Sequence, residues 1–343
     1  MQRIMVTGGA GFIGSNFARM MLEKHPDYHV LVYDKMTYAG NPDNLADLQG
    51  NPRFNFVRGD IADQERVDET VQQFGIDTIV NFAAESHVDR SIEEPGGFIQ
   101  TDVFGVYVLL EATRKFRLER LLQVSTDEVY GTVLEGSSVE NDRLEPRSPY
   151  SASKAGGELQ CYAYFITYNA PVVITRGSNT YGPYQYPEKM LPLFITNMLE
   201  DKPVPMYGDG KYVRDWMHVL DHCAGIDAAL HNGKPGEAYN IGGGNERENI
   251  DVTYRLLDLL GKPRTLIHYV QDRSGHDRRY SIDTTKAREE LGWTPQVDFD
   301  EGLQETVEWY VNNRDWWEKI KSGDFAEYYA RMYGQREVLS KHD

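Results

Sequence analysis

Tyr150 and Lys154 stand four residues apart in Tyr150-Ser151-Ala152-Ser153-Lys154. On a helix, positions i and i+4 share a face, separated by about 6 Å of rise. A lysine cation at that distance favours the tyrosinate and lowers the tyrosine pKa. Such a tyrosine takes a proton from a sugar hydroxyl while a hydride leaves the carbon. The same lysine can bind a nicotinamide ribose. In a chain with 22 tyrosines the spacing alone also fits a solvent-facing helix pair. Pro149 marks a helix start immediately before it, and Ser125-Thr126 precede it by one loop.

The run Ser125-Thr126-Asp127-Glu128-Val129-Tyr130-Gly131 ends a predicted strand. Strand C-termini are where α/β sheets place ligands. A plain oxidoreductase needs only Thr126 or Ser125 there, to hydrogen-bond the reacting hydroxyl. Two adjacent carboxylates supply more. If burial and mutual repulsion separate their pKa values, one is a base and the other an acid. That pair can eliminate water: the base takes a C–H proton α to a carbonyl, and the acid protonates the departing hydroxyl. Taken alone, the stretch reads better as a strand-end turn with two solvated acids; beside the Tyr150–Lys154 pair and a nicotinamide site the acid–base reading prevails.

A third element serves a cofactor. The first strand runs into Gly8-Gly9-Ala10-Gly11-Phe12-Ile13-Gly14, then into a helix expected to bury Phe12, Ile13, Phe17 and Met21. Glycines let the backbone turn tightly and approach a pyrophosphate seated on the helix N-terminus. Asp34 ends the next strand, where a carboxylate accepts both ribose hydroxyls of adenosine and repels a 2′-phosphate. That favours NAD over NADP, with Lys35 beside it as a contrary sign. Asp60, after the third strand, could reach the adenine or be an ordinary strand-end aspartate.

These residues must be held by alternating strands and helices. Short β-branched or apolar runs at 4–6, 30–33, 54–57, 78–82, 121–125 and 172–175 alternate with helical spacing at 63–74, 101–115 and 150–168. Alternation at that pace predicts βαβ units on a parallel sheet with helices on both faces. The fold class expected is α/β, a Rossmann-type doubly wound sheet with a smaller α/β lobe. Residues 1–181 would bind the cofactor. After about 181 prolines break the chain, and 182–343 would mainly bind substrate. A helical stretch at 219–231 and a strand at 238–241 repeat the strand–helix pattern of the first half, so 215–241 should return to the first domain. Further helices are expected at 252–260, 284–291 and 301–312.

Composition narrows the partners. The 343 residues carry 36 basic and 53 acidic side chains, a net charge of −17. That argues against nucleic acid or an anionic membrane as the main partner, though a local arginine cluster can still take an anionic small molecule. Apolar residues at 40% and charged residues at 26% fit a soluble globular chain. No apolar run approaches the roughly 20 residues of a membrane span, and the first residues lack signal-peptide anatomy. Cys161 and Cys223 have no metal-ligand spacing, so neither a disulfide framework nor a metal site is expected. The reducing cytoplasm is the expected location.

Taken together, the motifs resemble the dTDP-glucose 4,6-dehydratases of the extended short-chain dehydrogenase/reductase family. The resemblance runs through TGGAGFIGSN at 7–16, YDKMTYAGNPDNL at 33–45, NFAAESHVDRSI at 81–92, STDEVYG at 125–131, SPYSASKA at 148–155, SNTYGPYQYPEKMLP at 178–192, YGDGKYVRDW at 207–216 and DRSGHDRRYSID at 272–283. The Thr-Asp-Glu triplet is its specific part. Epimerases of this fold lack the acidic pair, and GDP-mannose dehydratases tend to keep the glutamate without the aspartate. A dehydratase or epimerase acting on a UDP- or CDP-sugar is the alternative.

The resemblance implies three steps on one bound NAD. Tyr150, with Lys154 beside it, removes the C4 hydroxyl proton as the C4 hydride is taken up, and Thr126 orients that hydroxyl. Glu128 then abstracts the C5 proton while Asp127 protonates the C6 hydroxyl and water leaves. The hydride returns to C6, Glu128 reprotonates C5, and the cofactor ends as it began. The same resemblance sets Gly8, Gly11, Phe12, Ile13, Gly14, Asp34, Lys35, Met36, Thr37, Asp60, Ile61, Phe82, Ala83, Ala84, Glu85, Ser86 and Thr101 along NAD. It sets Arg214 and Arg273 on the substrate phosphates, where guanidinium forks match phosphate oxygens. Ser86, His87, Asn179, Lys189, Met190, Asn249 and His276 follow as substrate contacts, and Pro205, Met206 and Tyr207 as the segment around the base. Trp216, Tyr181 and Tyr184 read as core and shape residues.

Thr180 and Ser274 depart from the family pattern, which usually has asparagine and proline there. The helices at 101–115 and 150–168 carry apolar stripes, Val103, Val106, Tyr107 and Leu110 on one, Leu159, Tyr162 and Ile166 on the other. Both stripes could simply pack on the sheet. The resemblance implies instead a homodimer through a four-helix interface.

Overall fold

The computed structural model describes residues 1–273, 275–322, 324–333 and 338–339. Seven strands form the main sheet: β1 (Arg3–Thr7), β2 (His29–Asp34), β3 (Phe54–Arg58), β4 (Thr78–Asn81), β5 (Arg120–Thr126), β6 (Val172–Gly177) and, much later in the chain, Ala238–Ile241. Between β6 and that last strand come β7 (Asn179–Tyr181), β8 (Val204–Tyr207) and β9 (Val213–His218), so Ala238–Ile241 is β10. β11 (Glu246–Glu248) and β12 (Ile267–Val270) follow. The sheet order is β10-β6-β5-β4-β1-β2-β3, parallel throughout.

Side chains alternate across this sheet because the strand period is two. Ile4 and Val6 enter one core with Phe17, Met21, Val32, Leu122 and Ile226. Met5 enters the opposite core with Leu31, Val67, Ile79, Leu109, Leu121 and Val172. Helices Phe12–Lys24 and Val219–Asn232 therefore cover one face, and Gln64–Phe74, Val106–Phe116 and Pro149–Tyr168 the other. Both faces being buried, the strands read as continuous apolar runs.

The chain builds outward from β1 in two directions, to β2 and β3 and to β4, β5, β6 and β10. The crevice between β1 and β4, at their C-terminal ends, is the switch point where such sheets bind ligands. A second cluster, with Leu193, Phe194, Trp216, Leu256, Phe299, Tyr310 and Trp317, packs apart from the sheet. It is framed by β7-β9-β11 and by the parallel pair β8-β12. Among the described residues no helix is long and apolar enough to cross a membrane.

Two elements differ from the sequence expectation. The helix expected at 101–115 continues from Pro95–Phe98 through a wide π-type segment, Ile99–Gly105, before Val106–Phe116. The segment expected as a helix at 284–291 contains a short wide turn, Ala287–Leu291. In both, apolar spacing announces a helix but does not fix its hydrogen-bond pitch.

Candidate active site

The helix carrying Tyr150 and Lys154 starts where its cap dictates. Ser148 accepts from the Ser151 N–H at 3.1 Å, and Ser151 Oγ accepts from the Ser148 N–H at 3.0 Å, with Pro149 in the first turn. This reciprocal box satisfies two donors the helix cannot pair internally. Gly157 lets the helix approach the π-type segment: a Cβ there would lie 2.5 Å from the Asp102 carbonyl oxygen. Lys154 is buried, and its ammonium donates to the Val124 carbonyl at 2.9 Å.

The glycine turn is equally constrained. Gly8 has φ +66°, and a Cβ on it would stand 2.6 Å from the Ala83 nitrogen. A Cβ on Gly14 would lie 2.5 Å from the Gly8 carbonyl oxygen. The turn is tied to the second strand by Asp34, which accepts the Ala10 N–H at 3.0 Å and the Met36 N–H at 2.7 Å. Phe12 and Ile13, expected on the buried side of the helix, are only half-buried and line the groove instead. Phe17 and Met21 are fully buried, as expected. Lys35 is ion-paired with Asp60 at 2.7 Å.

A cavity of about 300 Å³ opens along this turn. Of the residues expected on the cofactor, Gly8, Gly11, Phe12, Ile13, Gly14, Asp34, Lys35, Thr37, Asp60, Ile61, Phe82, Ala83, Ala84, Glu85, Ser86, Thr101, Tyr150 and Lys154 all line it. Met36 does not; its backbone, at φ +60°, folds back onto Asp34. A cradle that a single added Cβ would fill, at a helix N-terminus, suits a dinucleotide pyrophosphate.

Thr126, Asp127 and Glu128 stand at the inner end of this groove. Thr126 caps the short turn Asp127–Tyr130 by accepting the Glu128 N–H at 3.3 Å, and with Tyr150 it lines the first cavity. Asp127 is 3% exposed; it accepts from Thr126 Oγ1 at 3.2 Å, and its other oxygen has no hydrogen-bond partner. Burial, then the neighbouring Glu128 and Asp215, push its carboxyl well above the usual range, so it stays protonated. Burial raises Glu128 too, but Arg273, Lys189 and Arg214 oppose the shift and favour its ionised form. Both acids are raised, Asp127 the further, so the two environments differ in degree.

Tyr150 departs from expectation. Burial first, then Glu128, Asp102 and Asp127, push its phenol well above the ordinary tyrosine range. The lysine four residues on does not dominate, because carboxylates surround the ring and the ammonium is engaged by a carbonyl.

A second cavity, of about 150 Å³, meets the first at Glu128, Asn179, Glu188 and Lys189. It is lined by His87, Met190, Pro205, Met206, Tyr207, Arg214, Asn249, Arg273 and His276, all expected on the substrate. Ser86 and Thr126 face the first cavity. Three cations, Lys189, Arg214 and Arg273, match the three acids of the lining, Asp89, Glu128 and Glu188, and offset the chain's acidic excess locally; their guanidinium and ammonium donors suit a diphosphate. Arg273 is paired with Asp89 at 3.0 Å, and Arg214 donates to the Val213 and Asp277 carbonyls. Asn179 Oδ1, Asn249 Oδ1 and Arg273 Nε are buried without a partner, which is costly unless a ligand supplies one. His276 stacks on Tyr212 with ring centroids 3.9 Å apart and contacts Asp272 at 2.7 Å. Burial lowers His276 and His87 each to about 4, so both are neutral. Trp216 and Tyr181 are core residues, whereas Tyr184 is half-buried at φ +69° under Arg19.

Several site residues escaped the sequence reading. Asp102 accepts the Glu85 N–H at 3.0 Å and the Ser153 hydroxyl at 2.6 Å, joining the cofactor groove to the catalytic helix. Asp277 and Tyr280 approach Glu128 from the far end of the chain. Both lie inside the matched run at 272–283, yet only pairing with Glu128 distinguishes them. Thr180, the first departure, has its hydroxyl within hydrogen-bond distance of the Ser178 carbonyl, at 3.1 Å, and of His222 Nδ1, at 2.8 Å; Ser274 lies outside the described residues. His25, Asp227 and His231 cluster away from the groove. The two imidazoles are near-parallel at 19°, with centroids 4.9 Å apart, so their lone pairs lie in stacked planes and do not converge on one ion.

This geometry has close relatives. The family model described as GDP-mannose 4,6 dehydratase matches residues 5–306. The dTDP-glucose 4,6-dehydratase of Streptomyces niveus is 50% identical over 328 residues, 94% of this chain and 97% of its own. The chain belongs to the nucleotide-sugar 4,6-dehydratase family. A solved dTDP-glucose 4,6-dehydratase of Streptomyces venezuelae, with NAD and TDP bound, superposes on this 4,6-dehydratase family member at TM-score 0.91 and 51% identity. That match covers 93% of this chain and 100% of the other. The UDP-glucose 4-epimerase of Thermotoga maritima matches at TM-score 0.85 and 31% identity, over 91% of this chain and 100% of its own. Epimerases thus share the fold of the family, while the higher identities fall to the dehydratases.

Proposed function

We propose that the chain is a dTDP-glucose 4,6-dehydratase, converting dTDP-glucose to dTDP-4-keto-6-deoxyglucose and water with a bound NAD. The observation that carries the reading is the junction of two cavities at Glu128, with Asp127 beside it: two adjacent acids, both raised by burial, Asp127 the further. An epimerase needs no such pair. Asp127 beside Glu128, with the dTDP-glucose relatives, favours this substrate over GDP-mannose.

When bound, NAD supplies the acceptor and later the donor of one hydride. Gly8, Gly11 and Gly14 would receive its pyrophosphate, Asp34 its adenosine ribose, and Lys154 its nicotinamide ribose. Tyr150 would accept the C4 hydroxyl proton as its phenolate, a form that burial and the nearby carboxylates disfavour and the positive charge of a bound nicotinamide would favour, and Thr126 beside it would orient that hydroxyl. Glu128, whose burial-raised carboxyl three nearby cations pull back toward ionisation, takes the C5 proton that the new ketone has made acidic. Asp127 gives its proton to the C6 hydroxyl as water leaves. Its unpartnered oxygen is the one free to make that contact. Glu128 then returns a proton to C5. Arg214, Arg273 and Lys189 hold the diphosphate, and Asn179, Asn249 and His276 pair with the remainder of the nucleotide sugar.

In this reading residues 1–181, with 215–241, hold the cofactor, and most of 182–343 holds the sugar nucleotide. The protein works as a homodimer in the cytoplasm. Leu159, Tyr162 and Ile166 are 60%, 55% and 63% exposed, so their stripe does not pack on the sheet. Of the companion stripe, Val106 and Leu110 are buried and Tyr107 is exposed. An exposed apolar stripe on neighbouring helices supports a second copy as its cover. Both cysteines are free and buried, in keeping with a reducing compartment.

The test is incubation with dTDP-glucose, without added cofactor, followed by mass spectrometry. The wild type should lose one water from the sugar, and Asp127→Asn and Glu128→Gln should be slowed at least about a hundredfold. No mass change with dTDP-, UDP- or CDP-glucose, in protein shown to carry NAD, would overturn the reading.

A further inference from the structure

The Glu128 carboxylate has an unusual supporting contact. Among the described residues, the one hydrogen bond to it comes from Tyr280, whose hydroxyl lies 3.4 Å from Glu128 Oε2. The same hydroxyl lies 2.9 Å from Asp277 Oδ2. A phenol has one proton to donate. Two carboxylates therefore compete for it, one at the reaction centre and one behind it. Asp277 is anchored by other donors on its second oxygen: the Thr132 hydroxyl, and Arg147 at 3.2 Å. Tyr280 is 4% exposed, and the Arg214 guanidinium lies 4.3 Å from its ring centroid, so the ring is clamped while the hydroxyl can rotate. Burial holds the phenol well above its ordinary pKa, so Tyr280 donates a hydrogen bond and does not ionise.

We propose that Tyr280 is a positioning residue for the Glu128 base, its hydroxyl turning from Asp277 to Glu128 when Glu128 is ionised and back when Glu128 has taken the C5 proton. This rests on the dehydratase reading. The turned hydroxyl fixes one carboxylate oxygen and leaves the other to face C5. Protonated Glu128 is a weaker acceptor, so the phenol returns to Asp277. No proton leaves Tyr280 at any stage. The role falls on the steps of Glu128 at C5 and not on C4 oxidation, because neither Tyr150 nor Thr126 touches Tyr280 through any hydrogen bond among the described residues.

The test is Tyr280→Phe in the NAD-loaded enzyme, mixed with dTDP-glucose in a single turnover. NADH absorbance reports C4 oxidation, and quenched mass spectrometry reports water loss. A lost hydrogen bond to a charged group corresponds to a slowing of about 10- to 100-fold. Expected are oxidation at the wild-type rate and water loss slowed by that factor, so that NADH accumulates. Unchanged water loss, or oxidation and water loss slowed equally, overturns the proposal. If Tyr280→Phe does not fold, Asp277→Asn decides: it weakens the acceptor that competes for the phenol, so water loss should speed up relative to C4 oxidation, and an unchanged ratio of the two rates overturns the proposal. A large, selective loss there overturns the proposal as well. Wild-type enzyme that holds NAD but releases no water sinks the dehydratase reading instead, whatever Tyr280 does.

Discussion

Replacing Asp102 by asparagine should make the protein more stable and less active. Asp102 is 2% exposed and sits between the cofactor groove and the catalytic helix. Burial raises its carboxyl from 3.8 to about 6, against the opposing pull of Lys154, the Ser153 hydroxyl and the Glu85 N–H. A folded pKa above the unfolded one means that folding favours the protonated acid. The ionised acid therefore costs the folded state nothing below pH 3.8 and its full penalty above pH 6. The shift is about two units, at about 1.4 kcal/mol each, or about 3 kcal/mol near neutrality. Asparagine resembles the protonated acid, keeps an acceptor for Glu85, and never ionises. Its stability advantage should grow from near zero at pH 4 to about 3 kcal/mol at pH 7. Denaturant titrations of both proteins at half-unit pH steps measure that growth directly. Activity should fall, because Asp102 is the leading group that holds Lys154 charged against its own burial. An advantage independent of pH, or a variant less stable than wild type at pH 7, would refute this account of Asp102.

Three further outcomes follow from the geometry. Gly14→Ala would set a Cβ 2.5 Å from the Gly8 carbonyl oxygen and 2.8 Å from Gly9 Cα, both backbone atoms that cannot swing aside. The turn must open, at about 1–3 kcal/mol, and the purified variant should release no NAD on denaturation. Arg273→Met removes a cavity cation and strands Asp89, which is 3% exposed, without its ion pair. KM for the sugar nucleotide should rise at least about tenfold, with NAD content unchanged. Leu159→Asp combined with Ile166→Asp puts charge on an exposed apolar stripe, so sedimentation should show a monomer where the wild type sediments as a dimer. A wild-type monomer, or a variant dimer, would count against the proposed interface.

Much of this molecule is legible from its linear order. The strand runs at 4–6, 30–33, 54–57, 121–125 and 172–175 all lie in the seven-stranded parallel sheet; burial on both faces leaves the interior runs largely apolar, whereas 54–57, at the edge, buries only Val57. The strand at 238–241 pairs with β6 at the sheet edge, as its apolar pattern suggests. The Tyr150–Lys154 pair is readable because its geometry is the geometry of one helical turn. The glycine turn is readable because only glycine tolerates backbone approaches of 2.5 to 2.6 Å at a Cβ position.

Only tertiary structure decides the rest. Glu128 and Tyr280 are 152 residues apart, and Asp102 and Ser153 are 51 apart. No local period encodes such pairs. The direction of the Tyr150 shift runs against the sequence expectation for the same reason: a neighbouring lysine is visible in sequence, but burial and the carboxylates packed around the ring are not. The apolar stripe at Leu159, Tyr162 and Ile166 is equally consistent in sequence with burial or exposure; the path of the helix over the sheet leaves it facing outward. Sequence determined which local shapes could form and which groups each would carry. Folding determined the dielectric around those groups and their partners across the chain, and so how far each acid is driven toward its protonated form.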